Sequence, residues 1–313
     1  MNEAWIPKVA VLGAGAMGSM FGGLLGEGGL EVTLIDIWAE HVAAVQQSGL
    51  RLIGDSAERS VPVKATTRPA EAGEADVVLV HCKSHHTVQA VEAARSLFGA
   101  DTVAISFQNG LGNEEMIGGV IGIERVLGGT TAQGASMVGP GAVRYYGDLP
   151  SQIGELTGGT SERAERIARA LTAAGLQTSA SAEIRRDIWK KLLANVALSA
   201  PSALSDLSIA ELMAVPELKA TSLAALEEAA AVARATGIEL DAADTERVLA
   251  KITGAGGTSA NKSSMCADVL KRRKTEIEVI NGAVARLGRE HGVPTPVNDT
   301  LIAAIIGVET HFV

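Results

Sequence analysis

The sequence predicts an α/β domain over residues 1–181, followed by an all-helical C-terminal domain over residues 182–313. In the first part, short apolar runs typical of strands alternate with helical patterns, as in a parallel sheet covered by helices. A cluster of glycines follows the first apolar run, where a strand would turn into a helix. Beyond Ala182 the strand patterns stop and long helical periods replace them. We therefore expect two domains with a cleft between them.

The glycine cluster is the most specific motif of the chain. The apolar run Val9–Leu12 leads directly into Gly13–Gly18, a small-residue helical stretch follows, and a second apolar run ends in Asp36. Strand, glycine turn, helix and strand in this order predict a Rossmann-type dinucleotide-binding domain. The glycines let backbone N–H groups approach a pyrophosphate at the positive end of the helix dipole. The residues expected to bind the dinucleotide here are Gly13, Gly15, Ala16, Met17, Gly18 and Asp36.

Asp36 also bears on the choice between NADH and NADPH. A carboxylate at the end of the second strand accepts hydrogen bonds from the ribose hydroxyls and repels a 2′-phosphate. The next two residues, Ile37 and Trp38, supply no arginine to bind such a phosphate. We therefore expect NAD(P)H as the cofactor, with Asp36 favouring NADH.

The remaining apolar runs complete the predicted α/β domain. Asp76–Cys82 and Thr102–Phe107 are continuously apolar, as expected of parallel strands buried on both faces. Ser161 is the expected N-cap of a helix that ends at Gly175. The other predicted elements are a hairpin over residues 49–54 and 59–65, a helix over 86–97, and strands over 126–132, 142–146 and 152–157.

Proline and glycine mark the ends of the helices predicted in the second domain. One helix covers Asp187–Ala200 and is expected to end at Pro201. A second covers Pro216–Thr236, with proline at its first position. A third covers Asp241–Thr253, and Gly254–Ser259 is expected to be a flexible connector.

A helix boundary is predicted near residue 275. Thr275–Glu278 has the capping-box pattern, which predicts a helix from Thr275 to about Glu290. A shorter helix is expected near Ser264–Leu270, with a turn through Lys271–Lys274 between the two. In one continuous helix, Ser264 and Glu276 would lie about 18 Å apart along the axis. We expect the break to bring both residues toward one cleft.

Composition excludes several classes of function. The net charge of −9 disfavours a nucleic-acid surface, and the two cysteines, far apart in sequence, predict no metal site and a reducing compartment. No signal peptide is recognisable, and no apolar stretch reaches the roughly twenty residues that a membrane helix needs. We therefore expect a cytoplasmic protein with a small-molecule substrate and without nucleic-acid or membrane partners. The Ala-rich helices of the second domain are compatible with a homodimer.

Two polar residues follow buried strands of the predicted sheet. Lys83 comes after the Asp76–Cys82 strand, and Asn109 comes shortly after Thr102–Phe107. Ligands of open parallel sheets bind at the carboxyl ends of strands, so these side chains can meet cofactor or substrate. The alternatives are a solvated loop lysine and an ordinary Asn-Gly turn. The histidine pair at 85 and 86 is interpreted as loop residues rather than as a metal site.

Lys191 and Asn195 lie four residues apart on the first helix of the second domain, and hence on one face. The helix is largely apolar, so at least part of it is buried. A partly buried lysine has a lowered pKa and can donate a proton near neutral pH. The alternative is a lysine that extends from the helix edge into solvent.

Taken together and in order, these motifs resemble those of the ketopantoate reductase family (2-dehydropantoate 2-reductases) over nearly the whole chain. The resemblance implies NAD(P)H-dependent reduction of 2-dehydropantoate to pantoate, a step of pantothenate biosynthesis, on a two-domain fold. The matching pieces are Gly13-x-Gly15-x-x-Gly18, Lys83, Gln108-Asn109-Gly110, Trp189-x-Lys191-x-x-x-Asn195, Ser263-Ser264-Met265-x-x-Asp268, Thr275-Glu276-Ile277 and Ile280-Asn281-Gly282.

The resemblance also implies roles for individual residues. Lys191 corresponds to the lysine that protonates the carbonyl oxygen, and Glu276 to the glutamate that supports catalysis and holds substrate or cofactor. Ser264 corresponds to the serine that binds the carboxylate end of the substrate. Asn109 and Asn195 correspond to asparagines that orient the lysine, the substrate and the nicotinamide, and Asn261 is expected to join them.

Two residues depart from the family pattern. Ser199 stands where the family has a second asparagine, and because its shorter side chain cannot span the same gap, we expect the substrate contact there to be lost or mediated by water. Asp36 is the second departure, since the typical member of the family uses NADPH and an acid at this position favours NADH. Ser199 leaves open a reductase of another short 2-oxo acid. Two further alternatives are a β-hydroxyacid dehydrogenase, which Ser263-Ser264-Met265 and Thr275-Glu276 disfavour, and a non-catalytic dinucleotide-binding sensor.

Overall fold

The computed structural model describes residues 5–54, 57–147, 149–240, 247, 250 and 260–312. The chain forms two compact units. The first consists of residues 1–108 and 113–184, and the second of residues 109–112 and 185–313. The sheets lie in the first part of the chain, and the elements described beyond Ala180 are helices, which confirms the predicted fold class.

The first unit is built on an eight-stranded sheet in the order β12-β11-β8-β7-β6-β1-β2-β5. All neighbouring strands are parallel except β11, which runs antiparallel to β8. Its strands are β1 (Lys8–Leu12), β2 (Glu31–Ile35), β5 (Lys64–Thr66), β6 (Ala75–Val80), β7 (Phe98–Ser106), β8 (Val126–Thr131), β11 (Ser151–Glu155) and β12 (Thr178–Ala180). The helices of this unit are α1 (Ala16–Glu27), α2 (Ala39–Ser48), α3 (Thr87–Ala93), α4 (Asn113–Ile121) and α5 (Glu162–Ala173).

The register of the central strands brings their carboxyl ends to one edge of the sheet. Leu12 of β1 is paired with Ile35 of β2 on one side and with Val80 of β6 on the other. Val80 is in turn paired with Ser106 of β7. The glycine turn, Asp36 and the segments that follow β6 and β7 therefore begin at the same edge.

A second, four-stranded sheet has the order β4-β3-β10-β9. Its strands are β3 (Leu50–Ile53), β4 (Glu58–Val61), β9 (Gly134–Gly139) and β10 (Ala142–Tyr146). The predicted hairpin over 49–54 and 59–65 is correct only in part. β4 pairs with β3, but Lys64–Thr66 leaves this sheet and pairs with β2. Pro62 has no N–H to donate and follows the last residue of β4, where the antiparallel ladder ends.

Helices make up the second unit. They pack around a core that includes Trp189, Leu193, Val196, Leu226 and Val284. Among the described residues, no helix combines the length and the apolar character needed to cross a membrane. The helices are α6 (Ile184–Ser205), α7 (Ile209–Ala214), α8 (Pro216–Ala235), α9 (Ser264–Leu270), α10 (Asn281–His291) and α11 (Pro296–Glu309).

The structure corrects two predicted helix boundaries and confirms two others. α8 and α9 agree with the prediction, whereas the helix predicted over 187–200 continues past Pro201 to Ser205. Pro201 removes only the backbone donor to the carbonyl four residues earlier, and the helix continues to Ser205, whose hydroxyl donates to the Pro201 carbonyl at 2.7 Å. Apart from positions 247 and 250, the predicted helix at 241–253 and the connector at 254–259 lie outside the described residues.

The second wrong boundary is the helix start predicted at Thr275, since α10 begins at Asn281. The capping box does not form, because the Thr275 N–H donates to Glu309 instead, at 2.8 Å. The Thr275 hydroxyl accepts from the N–H of Ile277, two residues on, rather than three. Residues 276–280 consequently form turns.

Candidate functional site

The glycine turn between β1 and α1 has the shape of a cradle. Gly13 has a φ of +95°, and a Cβ there would collide with the backbone of Cys82. A Cβ on Gly18 would collide with the Gly13 carbonyl oxygen, so α1 packs closely on the turn. A Cβ on Gly15 would meet nothing within 4 Å. Gly15 is also the N-cap of α1 and caps it with no side chain, which leaves this helix end open to an anion.

Asp36 lies half-buried at the carboxyl end of β2, as predicted. Its Oδ1 accepts a hydrogen bond from the N–H of Trp38 at 2.9 Å, which fixes the carboxylate relative to the main chain. The side chain of Ile37 is 91% exposed and uncharged. An open glycine turn with a fixed carboxylate at the next strand fits the pyrophosphate and ribose of a dinucleotide.

Lys83 and Gln108 extend this edge of the sheet. Lys83 is half-buried and follows β6. The Gln108 amide donates to the Cys82 carbonyl and to the Thr87 hydroxyl, each at 2.7 Å. The Ser106 hydroxyl donates to Gln108 Oε1 at 3.2 Å. In the sequence, Gln108 is recognisable only as the neighbour of Asn109 in the Gln108-Asn109-Gly110 motif. Its signal was a polar residue directly after a buried strand, and in the structure it ties the end of β7 to the segment after β6.

Asn109 belongs to the second unit, although it follows a strand of the first in sequence. The segment Asn109–Gly112 is bound there by the N–H of Leu111, which donates to the Val279 carbonyl at 2.9 Å. Gly110 has a φ of +91° and packs against Val279. Asn109 is half-buried and is held close in space to the turns that follow Glu276.

Lys191 and Glu276 interact through their charges within the second unit. Lys191 is half-buried on α6, next to the fully buried Leu192 and Leu193. Burial lowers the pKa of Lys191 to about 8, although the Glu276 carboxylate acts in the opposite direction. The Glu276 side chain is itself buried, in the turns before α10. An ammonium with this pKa is mostly protonated at neutral pH and releases its proton readily.

The N-terminus of α9 is bound to α6 close to Ser199. Ser263, the N-cap of α9, donates from its hydroxyl to the Ser199 carbonyl at 3.1 Å. Its own N–H donates to the Ser202 hydroxyl at 3.2 Å. Ser199 is buried, and Asn195, one helical turn before it, is half-buried. The contact of Ser202 with Ser263 has no signal in the sequence, because the two residues lie far apart along the chain.

Ser264 and Asn261 flank this N-cap and are both exposed. The Asn261 carbonyl accepts from the N–H of Ile209 at 3.0 Å. Beyond α9, the Arg273 guanidinium donates to Asp268 at 2.7 Å and closes the turn that leads to Glu276. Ser264, which is exposed, and Glu276, which is buried, thus precede and follow this turn in the chain.

Comparison with known families gives matches in both halves of the chain. A family model described as Ketopantoate reductase PanE/ApbA matches residues 9–158. A second, described as Ketopantoate reductase PanE/ApbA C terminal, matches residues 183–309. The glycine turn, Asp36 and Lys83 lie in the first match, and Lys191, Glu276 and Ser264 in the second.

Two relatives named 2-dehydropantoate 2-reductase are similar to this chain over almost their whole length. The chain is 34% identical over 296 residues to the 2-dehydropantoate 2-reductase of Halobacterium salinarum, covering 94% of this chain and 96% of the relative. It is 34% identical over 307 residues to the 2-dehydropantoate 2-reductase of Archaeoglobus fulgidus, covering 97% and 99%.

Solved structures share the fold. A PanE/ApbA family ketopantoate reductase from Ralstonia eutropha JMP134 superposes with a TM-score of 0.89 at 30% identity, covering 97% of this chain and 99% of that one. The ternary structure of D-mandelate dehydrogenase with NADH and anilino(oxo)acetate gives a TM-score of 0.91 at 30% identity, with coverage of 97% and 99%.

Proposed function

The chain belongs to the ketopantoate reductase family, and from this premise we propose that it catalyses the NAD(P)H-dependent reduction of 2-dehydropantoate to pantoate. The observation that carries the proposal is the charge interaction between the half-buried Lys191 and the buried Glu276, with the lysine pKa lowered to about 8. An oxidoreductase of this class needs a proton donor for the carbonyl oxygen, and a non-catalytic sensor has no need of one.

When bound, NAD(P)H supplies a hydride to the C2 carbonyl carbon of the 2-oxo acid. Lys191 gives a proton from its ammonium to the carbonyl oxygen, so that the C=O double bond becomes a C–O single bond and one C–H and one O–H bond form. Positive charge close to the oxygen also stabilises the alkoxide character that develops there. Glu276 keeps the lysine protonated by charge attraction before the transfer, and a proton from solvent restores the ammonium afterwards.

We assign the binding of the 2-oxo acid to polar groups around Lys191. Ser264 binds the carboxylate end, and the amides of Asn109 and Asn195 orient the carbonyl group. This assignment is supported by the N-cap bonds that hold α9 on α6 and by the bond between Leu111 and Val279. The proposed substrate-binding residues are Asn109, Asn195, Ser199, Asn261 and Ser264.

We assign the dinucleotide to the domain of residues 1–181 and the proton transfer to the domain of residues 182–313. The open side of Gly15 receives the pyrophosphate, and Asp36 accepts hydrogen bonds from the adenosine ribose, which favours NADH. The proposed cofactor-binding residues are Gly13, Gly15, Ala16, Met17, Gly18, Asp36, Lys83, Asn109 and Glu276.

A second candidate is the reduction of a different short 2-oxo acid by the same residues. Ser199 favours it, since this buried position carries a hydroxyl in place of the family's amide. The similarity to D-mandelate dehydrogenase agrees with a family that accommodates other substituents next to the carbonyl. The chemistry at Lys191 is the same in both cases.

Steady-state kinetics separate these candidates. We expect turnover of 2-dehydropantoate with NADH, and a lower kcat/KM with NADPH. Parallel assays use pyruvate, 2-oxoisovalerate and phenylglyoxylate. A higher kcat/KM for one of these acids favours the second candidate, and tight dinucleotide binding without turnover of any of them contradicts both.

We further propose that the protein acts in the cytoplasm as a homodimer and binds no nucleic acid. The reducing compartment is supported by two free cysteines. Light scattering on the purified protein tests the dimer, and a mass of about 32 kDa contradicts it. Fluorescence microscopy of a tagged chain tests the location.

A further inference from the structure

A buried chain of hydrogen bonds connects the second sheet to the glycine turn through His41. This residue lies in the first turn of α2, and its side chain is fully buried. Its Nδ1 accepts from the N–H of Gly141 at 3.0 Å, and its Nε2 lies 3.2 Å from the Ser19 hydroxyl oxygen. The Ser19 hydroxyl donates to the Ala14 carbonyl at 2.7 Å.

These contacts fix the proton positions on the imidazole. Nδ1 accepts from a backbone amide and therefore carries no hydrogen. The only hydrogen on the Ser19 hydroxyl is used toward Ala14, so the Ser19 oxygen must accept from Nε2–H. His41 is thus held as the neutral Nε2–H tautomer. Burial lowers the pKa of His41, although the charge of Asp36 acts in the opposite direction.

The end of this chain determines how one peptide group is oriented. In a planar trans peptide the C=O and N–H bonds point in opposite directions. Because the Ala14 carbonyl points inward to Ser19, the N–H of Gly15 points away from it. The preceding N–H groups, of Gly13 and Ala14, both donate to the Ile35 carbonyl at 2.9 and 3.2 Å. Gly15 is therefore the first residue of the turn whose N–H is directed away from the sheet.

His41 also supports the segment that carries Asp36. The Trp38 ring stacks on the imidazole with centroids 5.4 Å apart and planes inclined by 17°. The same Trp38 donates its N–H to Asp36. One buried side chain thus contacts Ser19 and Trp38, whose hydrogen bonds reach the two places where the proposed function puts the pyrophosphate and the ribose.

We propose that His41 is a positioning residue for the dinucleotide, acting through Ser19 on the Gly15 amide and through Trp38 on Asp36. This inference rests on the proposed function, because it needs a dinucleotide in the glycine turn. It predicts that the loss of the His41 or the Ser19 side chain weakens dinucleotide binding, while the groups around Lys191 are unaffected.

The test compares His41→Phe, Ser19→Ala and the double variant. His41→Phe keeps an aromatic ring under Trp38 and removes both hydrogen bonds. We expect the Kd for NADH, measured by fluorescence titration, to rise about tenfold in each single variant, a typical effect for a lost buried hydrogen bond. Because both residues act on one peptide group, the double variant should lose little more. The kcat and the KM for the 2-oxo acid should change less than twofold at saturating NADH.

Thr102→Val is the matched control. Thr102 is buried and donates to the Ala75 carbonyl at 2.6 Å. Ala75 is the first residue of β6, so this bond lies at the end of the strand opposite to the glycine turn. Its loss removes a comparable hydrogen bond but should leave the Kd for NADH unchanged. Equal rises in Kd for this variant and for Ser19→Ala overturn the inference, because the effect would then be a general loss of packing.

Nitrogen NMR of the unliganded, unaltered chain gives a readout independent of binding and of the folding of variants. We expect the Nε2–H tautomer for His41 and slow exchange of the Ser19 hydroxyl. An Nδ1–H tautomer or a charged imidazole at pH 7 overturns the inference even when NADH binds and 2-dehydropantoate turns over. Absence of NADH binding by the unaltered chain overturns the proposed function and the inference with it, even when the tautomer is as assigned.

Discussion

At the scale of single residues, Lys191 carries the proposed chemistry. We expect Lys191→Met, which keeps the length of the side chain but not its charge, to lower kcat about 10²–10⁴-fold. In the unaltered chain, the rate of reduction should fall as pH rises through about 8, because the proton donor is then lost. The Lys191→Met variant should still bind NADH.

Lys190→Met is the matched control for this variant, since it removes a charge from the adjacent position of the same helix. Activity close to that of the unaltered chain is expected. Equal kcat values for the two variants, or a pH profile without a decrease near 8, would remove Lys191 from the mechanism.

Gly15 offers a substitution that separates binding from folding. In Gly15→Ala the new methyl group meets no protein atom within 4 Å, so the fold should be retained. The methyl group occupies the open side of the turn, and we expect the Kd for NADH to rise at least tenfold. Gly119→Ala, in α4, adds a methyl group that also meets nothing within 4 Å, and serves as the control. Unchanged NADH binding in Gly15→Ala would place the pyrophosphate elsewhere.

Glu114 links the stability of the first unit to pH. Burial raises the pKa of this carboxyl to about 7, above its ordinary value of 4.5. The folded state therefore favours the protonated form, and stability is lost as pH rises from about 4.5 through 7. For Glu114→Gln, we expect the free energy of unfolding relative to the unaltered chain to increase by about 3 kcal/mol between pH 4.5 and 8.

Urea denaturation at the two pH values measures this difference. Glu115→Gln changes the exposed neighbour and should leave the pH dependence nearly as it is in the unaltered chain. A constant difference between Glu114→Gln and the unaltered chain would mean that Glu114 has the same pKa in the folded and the unfolded state.

At the scale of elements, helix α5 begins as its sequence predicts. The Ser161 hydroxyl oxygen accepts from the N–H of Ala164 at 3.2 Å, and the hydroxyl donates to Glu155 at 2.6 Å. Ser161→Ala should therefore lower the free energy of unfolding by about 1–2 kcal/mol. Thr160→Ala, at the exposed preceding position, should change it by less than about 0.5 kcal/mol. Chemical denaturation of both variants checks the difference. Equal free energies of unfolding would show that the Ser161 cap does not stabilise the helix.

Elements with a strong local pattern are predictable, and those formed by distant contacts are not. β1, β6 and β7 follow from continuous apolar runs, because both faces of their sheet are covered. β9 (Gly134–Gly139) is only partly buried and has no such run, and β12 has three residues. The false helix start at Thr275 has the same origin, since Glu309 reaches its N–H from the far end of the chain.

Some residues of the candidate site are likewise predictable from the local sequence, and others are not. The glycine turn and Asp36 are predictable, because their function depends on residues adjacent in sequence. Lys191 and Glu276 emerge from the family resemblance, and their electrostatic interaction is visible only in three dimensions. His41 and Ser19 have no local pattern at all, since the bonds that join them to Gly141 and to each other connect distant segments.

At the scale of the whole molecule, dinucleotide binding should add to global stability. A ligand present at a hundred times its Kd adds about 2.7 kcal/mol to the free energy of unfolding when it binds only the folded state. We expect NADH to raise the Tm by several degrees, and NADPH at the same concentration to raise it less, because Asp36 repels the 2′-phosphate. A larger shift with NADPH in thermal denaturation would contradict the assignment of Asp36.

The short segment Asn109–Gly112 determines where two relatives can be joined into a chimera. These four residues are encoded amid the first unit but are anchored on the Val279 carbonyl of the second. A single crossover near codon 185 between two relatives would join one parent's helices to the other parent's anchoring loop. Functional chimeras should therefore require a second exchange that transplants this loop along with the helices.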